Sequence, residues 1–278
     1  MRLSLSTEEQ WLPPLILAMA LLCPRALQFY PRAIVWLRRW TYRLARRGKY
    51  DMALRLNRMW RYFPLYGNSL EGSILFSAGR YSDVLAFLKP LAFDEDGKPR
   101  LTSTALYTYA LALVNSEHEA EAEVLLEAAV RVRQKPATMQ VALATCLLTQ
   151  NKEPERACKL MEQALAAPQS RISAYSQRAD YARRIGRYAY ALAACGRRQE
   201  AEARIQEAFN EAAGLNNSDL AGVHYFVGEA RRSLSETAKA REAFQKAMSL
   251  APEGVTTLSA RKALAKMDGT WQAGSYRR

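Results

Sequence analysis

The sequence predicts an all-α protein made of stacked antiparallel helix pairs, and three features of the 278-residue chain support this fold class. Alanine and leucine are abundant, and no segment shows the sustained period-two alternation of a half-buried β-strand. Most prolines fall between predicted helices, where they end one helix without interrupting the next. A similar turn also recurs three times, in the segments RRGKYDMAL, SAGRYSDVL and ACGRRQEAE.

Residues 221–254 carry the clearest pattern in the chain. Gly228, Ala240, Phe244, Ala247 and Pro252 occupy positions 8, 20, 24, 27 and 32 of this segment of 34 residues. Small side chains let two antiparallel helices approach closely, an aromatic ring fills the space between them, and proline ends the second helix. The segment resembles a tetratricopeptide repeat. The resemblance implies a superhelical solenoid of tetratricopeptide type and a non-catalytic protein-binding function.

Weaker copies of the pattern precede this segment, and a single repeat needs such neighbours to bury its apolar face. Each copy has a small or aliphatic residue at the twentieth position, and the spacing between these residues varies from 31 to 44. The longest step contains Gln169–Asp180, which we expect to form an extended loop and a lengthened helix. The twentieth positions are Ala53, Val84, Ala122, Ala157, Ala201 and Ala240.

These patterns divide the chain into four parts. Residues 1–31 form an N-terminal hydrophobic segment, with a predicted hydrophobic helix, and 32–254 form about six repeats. Residues 255–268 are predicted to be a capping helix whose polar residues face outward, and 269–278 a disordered tail.

Positive charge is concentrated near the N-terminus. Of the formal net charge of +13, residues 25–61 contribute +10, from eleven Lys or Arg and one acid, Asp51. Such a run can simply be the solvated face of the first helices. The near absence of acids favours an anionic partner, either lipid headgroups or, as the second candidate, nucleic acid. The candidate contact residues are Arg38, Arg39, Arg43, Arg46 and Arg47.

An uncharged apolar run, residues 11–24, lies directly before the basic segment. It is shorter than the roughly 20 residues that a membrane span needs, and extending it to Tyr30 includes Arg25. We expect membrane association, spanning or interfacial, with the basic flank placing the solenoid in the cytoplasm. The alternatives are a helix packed on the end of the repeats, in a cytoplasmic protein, and a signal peptide.

Catalytic motifs are missing from the sequence. There are two histidines, His118 and His224, and no glycine-rich phosphate loop or metalloprotease motif. The four cysteines lack the CxxC spacing of zinc or redox sites, and Cys146 and Cys158 are predicted to lie buried on the two helices of one repeat. We therefore predict no enzyme activity, no cofactor and no metal site.

The resemblance to tetratricopeptide repeats implies that a protein or peptide partner binds the concave surface lined by the first helix of each repeat. The inward positions also include Arg38 and Tyr42, and the alternative for several of these residues is packing against the next repeat. The carboxylate clamp of the chaperone-binding members is absent, because Ser69 and Ser73 or Tyr107 and Leu111 occupy its positions. The candidate groove residues are Tyr66, Phe76, Tyr107, Arg183, Tyr190, Tyr225 and Glu229.

Overall fold

The computed structural model describes residues 39–45, 47–58, 67–92, 101–131, 136–167 and 174–271. These residues form thirteen helices and no strand. The predicted all-α class is therefore confirmed for the described part of the chain. The helices are α1 (39–45), α2 (Tyr50–Arg58), α3 (Gly67–Ser77), α4 (Tyr81–Ala92), α5 (Ser103–Asn115), α6 (Glu119–Arg131), α7 (Pro136–Thr149), α8 (Pro154–Ala166), α9 (Ala174–Ala194), α10 (Arg198–Ala212), α11 (Asn217–Ser233), α12 (Thr237–Leu250) and α13 (Val255–Met267).

The first twelve described helices follow one another in chain order as six successive twos, here called pairs, and the same turn joins the two helices of each pair. One turn residue has a positive φ, and the next residue donates its N–H to a carbonyl five residues earlier, as Arg80 does to Leu75 at 3.0 Å. This Schellman arrangement satisfies carbonyls that the helix end would leave unpaired. The positive-φ residues are Gly48 (76°), Gly79 (74°), Glu117 (66°), Asn151 (53°), Gly196 (73°) and Ser235 (62°).

The residues predicted to occupy the twentieth position of the repeats are all buried. All six residues at the twentieth position, from Ala53 to Ala240, have zero exposed area. The long step in the sequence is explained by α9, which has 21 residues where α11 has 17. Pro136 and Pro154 begin α7 and α8, where the missing N–H costs little.

The chain divides into two compact units, Met1–Ile74 and Leu75–Arg278. In the first unit, α1, α2 and the start of α3 bury Leu44, Leu54 and Leu70. The predicted hydrophobic helix within residues 1–31 and the tail from residue 272 lie outside the described residues. Among the described helices, none combines the length and the apolar character needed to cross a bilayer.

In the second unit, the odd-numbered helices contact one another in succession: α5 with α7, α7 with α9, α9 with α11, and α11 with α13. From α6 onward, each even-numbered helix packs mainly on its two sequence neighbours, as α8 does on α7 and α9. The arrangement of adjacent pairs is consistent with a tetratricopeptide-like solenoid. The odd-numbered helices α5, α7, α9 and α11 carry what we call the inner surface.

The last pair, α11 and α12, is closely packed at Gly228 and Phe244. The Phe244 ring has no exposed area, and a Cβ atom added to Gly228 would lie 2.6 Å from Phe244 Cε1. Glycine is therefore required for the two helices to approach as they do. The capping helix α13 completes this core by placing Ala260 and Ala263 against Ala240 and Phe244.

Helix α13 also reaches back to the beginning of the second unit. Ser259 Oγ donates a hydrogen bond to Asn115 Oδ1 at 3.3 Å, and Lys262 Nζ lies 3.0 Å from Glu117 Oε1. The Leu258 side chain covers Gly79 so closely that a Cβ atom there would overlap with it. The sequence predicted a capping helix with polar residues facing outward. It did not predict that polar residues of this helix would contact the beginning of the second unit.

Candidate partner-binding surface

Three side chains from three helices meet on the inner surface. Arg187 on α9 donates from Nη2 to the Tyr107 hydroxyl of α5 at 3.4 Å. The guanidinium carbon of Arg187 lies 4.2 Å above the centre of the Phe226 ring of α11. This stacking fixes the plane of the guanidinium group and leaves its edge available for hydrogen bonds.

Arg187 differs from the other arginines of these helices because no acid in the described part of the chain pairs with it. No carboxylate of the described residues lies within ion-pair distance of it, whereas Arg183 pairs with Asp219 at 2.7 Å and Arg232 with Glu229 at 2.5 Å. Its Nε is shielded from solvent and makes no hydrogen bond. A half-buried cation with unused donors is a favourable position for an anionic or carbonyl acceptor.

Arg183 was predicted to face a partner. In the structure its side chain is instead bound to residues of α11. Its Nη1 contacts Asp219 Oδ1, and the Asn216 side chain accepts a hydrogen bond from the Asp219 N–H at 2.9 Å, which caps α11. A Cβ atom on Gly222 would lie 3.2 Å from Arg183 Cδ. These contacts fix the arginine against the N-terminus of α11, although a third of its side chain remains exposed.

Tyr190 and Glu229, also predicted as groove residues, are buried with 4% and 6% of their area exposed. The Tyr190 hydroxyl donates to the Leu148 carbonyl at 3.1 Å and so links α9 to α7. Burial raises the pKa of Tyr190, and the negative charge of Glu229 raises it further. Both side chains lie beneath the inner surface, where they support it.

Tyr225 and Phe76 complete the described part of the predicted groove, since Tyr66 lies outside the described residues. The Tyr225 ring centre is 5.0 Å from that of Phe226 and 5.9 Å from that of Phe244, and burial raises the Tyr225 pKa well above its ordinary value. Phe76 packs on Tyr81 with ring centres 5.7 Å apart. Of the predicted set, Tyr107 is the residue that the structure brings together with Arg187.

Arg187 and Phe226 were not among the predicted groove residues. They occupy the sixth position of their repeats, and the predicted inward positions were the second, fifth, ninth and twelfth. The available clue was the recurrence of Arg183 and Arg187 one helical turn apart on α9. The surroundings of Arg187 are formed by side chains from three different helices. The sequence therefore did not indicate that Arg187 would lie away from the acids of the described residues.

The first unit carries a second candidate surface, formed by basic side chains on α1 and in the turn after it. Arg39, Arg43 and Arg47 are exposed, while Arg38 and Arg46 lie outside the described residues. Two large apolar side chains are exposed in the same unit, Tyr42 by 42% and Met52 by 54%. Cations mixed with apolar groups suit an interface that is partly anionic and partly apolar.

The two histidines lie in different surroundings, one against an aromatic ring and one in an exposed turn. His224 packs on Phe209 with ring centres 5.0 Å apart, and burial together with the charge of Lys246 lowers its pKa. His118 lies exposed in the turn between α5 and α6. Among the described residues, no group of three His, Cys, Asp or Glu is placed to hold a metal ion.

Comparison with known proteins finds a match for one segment of the chain. Residues 221–253 match the family model of the tetratricopeptide repeat. No curated protein matches the chain significantly. The matched segment coincides with α11, α12 and the turn after them, which is the pair packed around Gly228 and Phe244.

Proposed function

The repeat at residues 221–253 makes this chain a tetratricopeptide-repeat protein, and from that premise we propose that it is a non-catalytic scaffold that binds a polypeptide on its inner surface. In this proposal residues 32–254 provide the binding surface, 255–268 the cap and 269–278 a tail. The arrangement of Tyr107, Arg187 and Phe226 is the observation that supports this function best.

The chemistry of these three side chains favours a particular kind of contact. Arg187 offers hydrogen-bond donors that no acid of the described residues occupies, and Tyr107 offers a hydroxyl group. Both side chains are half-buried rather than freely solvated. Tyrosine and arginine supply most of the binding energy in many protein interfaces, since they combine a large rigid area with directional hydrogen bonds. We therefore expect the partner to place a backbone carbonyl or a carboxylate at the edge of the Arg187 guanidinium.

Affinity capture with the full-length protein in detergent tests the proposal, followed by identification and re-binding of the captured partner. Arg187→Gln should weaken binding at least about tenfold, because it removes a charged hydrogen-bond donor. Arg178→Gln is a matched control on the same helix, since Arg178 faces α10 and lies 3.7 Å from Glu211. Equal affinity of the wild type and both variants would place the partner elsewhere.

The proposal also includes tethering to an anionic membrane through residues 1–31 and the basic first unit. The uncharged run 11–24 would insert, and Arg39, Arg43 and Arg47 would contact lipid headgroups. Either contribution alone gives marginal attachment, whereas the two together give stable attachment. The solenoid would then face the cytoplasm.

Sedimentation with vesicles tests the tether. The full-length protein should pellet with vesicles that contain phosphatidylserine. Without residues 1–31 it should remain mostly in solution, with residual binding that disappears at high salt. A triple variant, Arg39→Gln, Arg43→Gln and Arg47→Gln, should lose that residual binding. Binding to an oligonucleotide but not to anionic vesicles would support the alternative, a soluble nucleic-acid-associated protein that uses residues 25–61.

A further inference from the structure

Two cysteines that are distant in sequence lie in contact between the fourth and fifth helix pairs. The sulfur atoms of Cys158 and Cys195 are 3.2 Å apart, although 37 positions separate the residues. Cys158 lies on α8 and is buried, whereas Cys195 follows the last residue of α9 and is partly exposed. Both are free thiols in this structure. The sequence offered no sign of the pair because the contact depends on how α8 packs against α9.

We propose that Cys158 and Cys195 are an oxidative modification site that forms a reversible disulfide bond under peroxide. A disulfide has sulfur atoms about 2.05 Å apart, so the two sulfurs need to approach by only about 1.2 Å. Cys195 precedes the turn residue Gly196, whose added Cβ would meet nothing within 4 Å, so the turn has space for this shift. The site stands independently of partner binding.

The partly exposed position of Cys195 sets the order of the reaction. The Cys195 sulfur attacks one oxygen of hydrogen peroxide, the O–O bond breaks, and one water leaves, which gives a sulfenic acid. The Cys158 sulfur then attacks the sulfenic sulfur, the S–OH bond breaks and the S–S bond forms. The thiol proton of Cys158 leaves with the hydroxyl group as a second water. Two thiols are oxidised, and one peroxide is reduced to two water molecules.

The surroundings of the two cysteines determine the rate of their oxidation and the access of reductants to the disulfide. Burial raises the pKa of the Cys195 thiol and of the Cys158 thiol, so little thiolate is present at neutral pH. The reaction should therefore be slow at pH 7 and accelerate as the pH rises. Thiol reductants that reach the exposed side of the disulfide should restore the starting state.

The bond would fasten α8 to the end of α9, at an interface that already holds polar links. The Tyr188 hydroxyl donates to Glu162 Oε1 at 2.8 Å, and Arg197 Nη1 lies 3.7 Å from the same oxygen. A covalent link across this interface restricts the unfolded chain and opposes separation of the two pairs. Since α9 carries Arg187, the oxidised protein holds the inner surface more rigidly.

The test uses full-length protein treated with millimolar hydrogen peroxide at pH 8 and analysed by peptide mapping. We expect a peptide in which Cys158 and Cys195 are linked, with a mass about 2 Da below the sum of the reduced peptides. The midpoint of thermal unfolding should rise by about 5 °C and return after reduction. Cys23→Ser removes the cysteine of the N-terminal segment and should change neither result.

Two variants separate this site from other oxidation. Cys195→Ser, at the partly exposed position, should fold and lose both the linked peptide and the thermal shift. Cys146→Ser is the control, because Cys146 is buried and its sulfur contacts the Glu119 carbonyl and the Gln150 side chain. The proposal is overturned if both thiols survive the treatment, if Cys195 stops at sulfinic acid, or if the thermal shift persists in Cys195→Ser.

Discussion

The fifth helix pair, α9–α10, and the last pair, α11–α12, share one architecture and fill it with different side chains. Equivalent residues are 39 positions apart in the sequence. Between the helices the fifth pair has Ala189 and Ile205 where the last pair has Gly228 and Phe244, and all four are buried. The larger ring faces the smaller partner. The fold therefore constrains the combined volume at these two positions more tightly than the identity of either residue.

The largest expected effect comes from breaking this volume match. Gly228→Ala should lower the free energy of unfolding by about 1–2 kcal/mol, because overpacking costs about 1–3 kcal/mol and exceeds the gain in helix propensity of about 1 kcal/mol. Denaturant unfolding measures the loss. Combining Gly228→Ala with Phe244→Leu should cost less than the sum of the two single variants, since the smaller side chain makes room for the methyl group. Additive losses would show that the two side chains are not coupled.

The turns of the two pairs provide a second, smaller test. Gly196 and Ser235 are equivalent and have φ values of 73° and 62°. Gly196→Ala should cost about 1 kcal/mol, because an added Cβ would meet no atom within 4 Å and only the backbone is strained. Ser235→Gly should stabilise the protein by about 0.5 kcal/mol, since strain relief is partly offset by the greater freedom of the unfolded chain. Opposite signs in thermal unfolding are the expected result, and equal signs would contradict it.

Smaller effects concern pH, and the first involves the equivalent residues Ile185 and His224. Burial lowers the pKa of His224 in the folded protein, so the unfolded chain binds the proton more readily. Stability should be complete above pH 6.5, the ordinary histidine pKa, and decline as the pH falls through the lower folded value. His224→Ile, which copies the fifth pair, should remove this part of the pH dependence. His118→Gln should retain it, and loss of the slope in this control would assign the effect to the wrong histidine.

A second pH effect comes from Glu236, the residue just before α12. Although burial opposes ionisation there, hydrogen bonds from Arg231 and Arg198 hold the pKa of Glu236 at about 2. The stabilising contribution of Glu236 is therefore present above pH 4.5 and is lost as the pH falls toward 2. Glu236→Gln should flatten the unfolding profile in this window, whereas Glu242→Gln, an exposed change on the same helix, should leave it unchanged.

The sequence predicted what is repeated and local. Ala201 and Ala240 were assigned to the buried twentieth position, and both have no exposed area. The turn at Gly196 was predicted from its three copies, but the positive φ of Glu117, Asn151 and Ser235 was not, because residues other than glycine adopt positive φ less often. Local chemistry therefore identified half of the turns, and the requirement to close each helix pair accounts for the others.

The candidate surface was predicted less completely because it depends on the curvature of the stack. Small rotations between pairs add up along a solenoid, and one repeat does not reveal their sum. Tyr190 and Glu229 were predicted to face a partner and lie buried instead, while Arg187 came to the inner surface beside Tyr107. The contact between Cys158 and Cys195 has the same origin.

The contact of α13 with the start of the second unit changes how this unit should come apart. An array in which each repeat contacts only its neighbours can fray from its ends, one repeat after another. Here Ser259 and Asn115 meet across 144 positions of sequence. Neither end can therefore loosen without breaking contacts at the other, which favours a single cooperative transition over stepwise fraying. The same long separation requires a large loop to close before the contact forms, so we expect it to form late in folding.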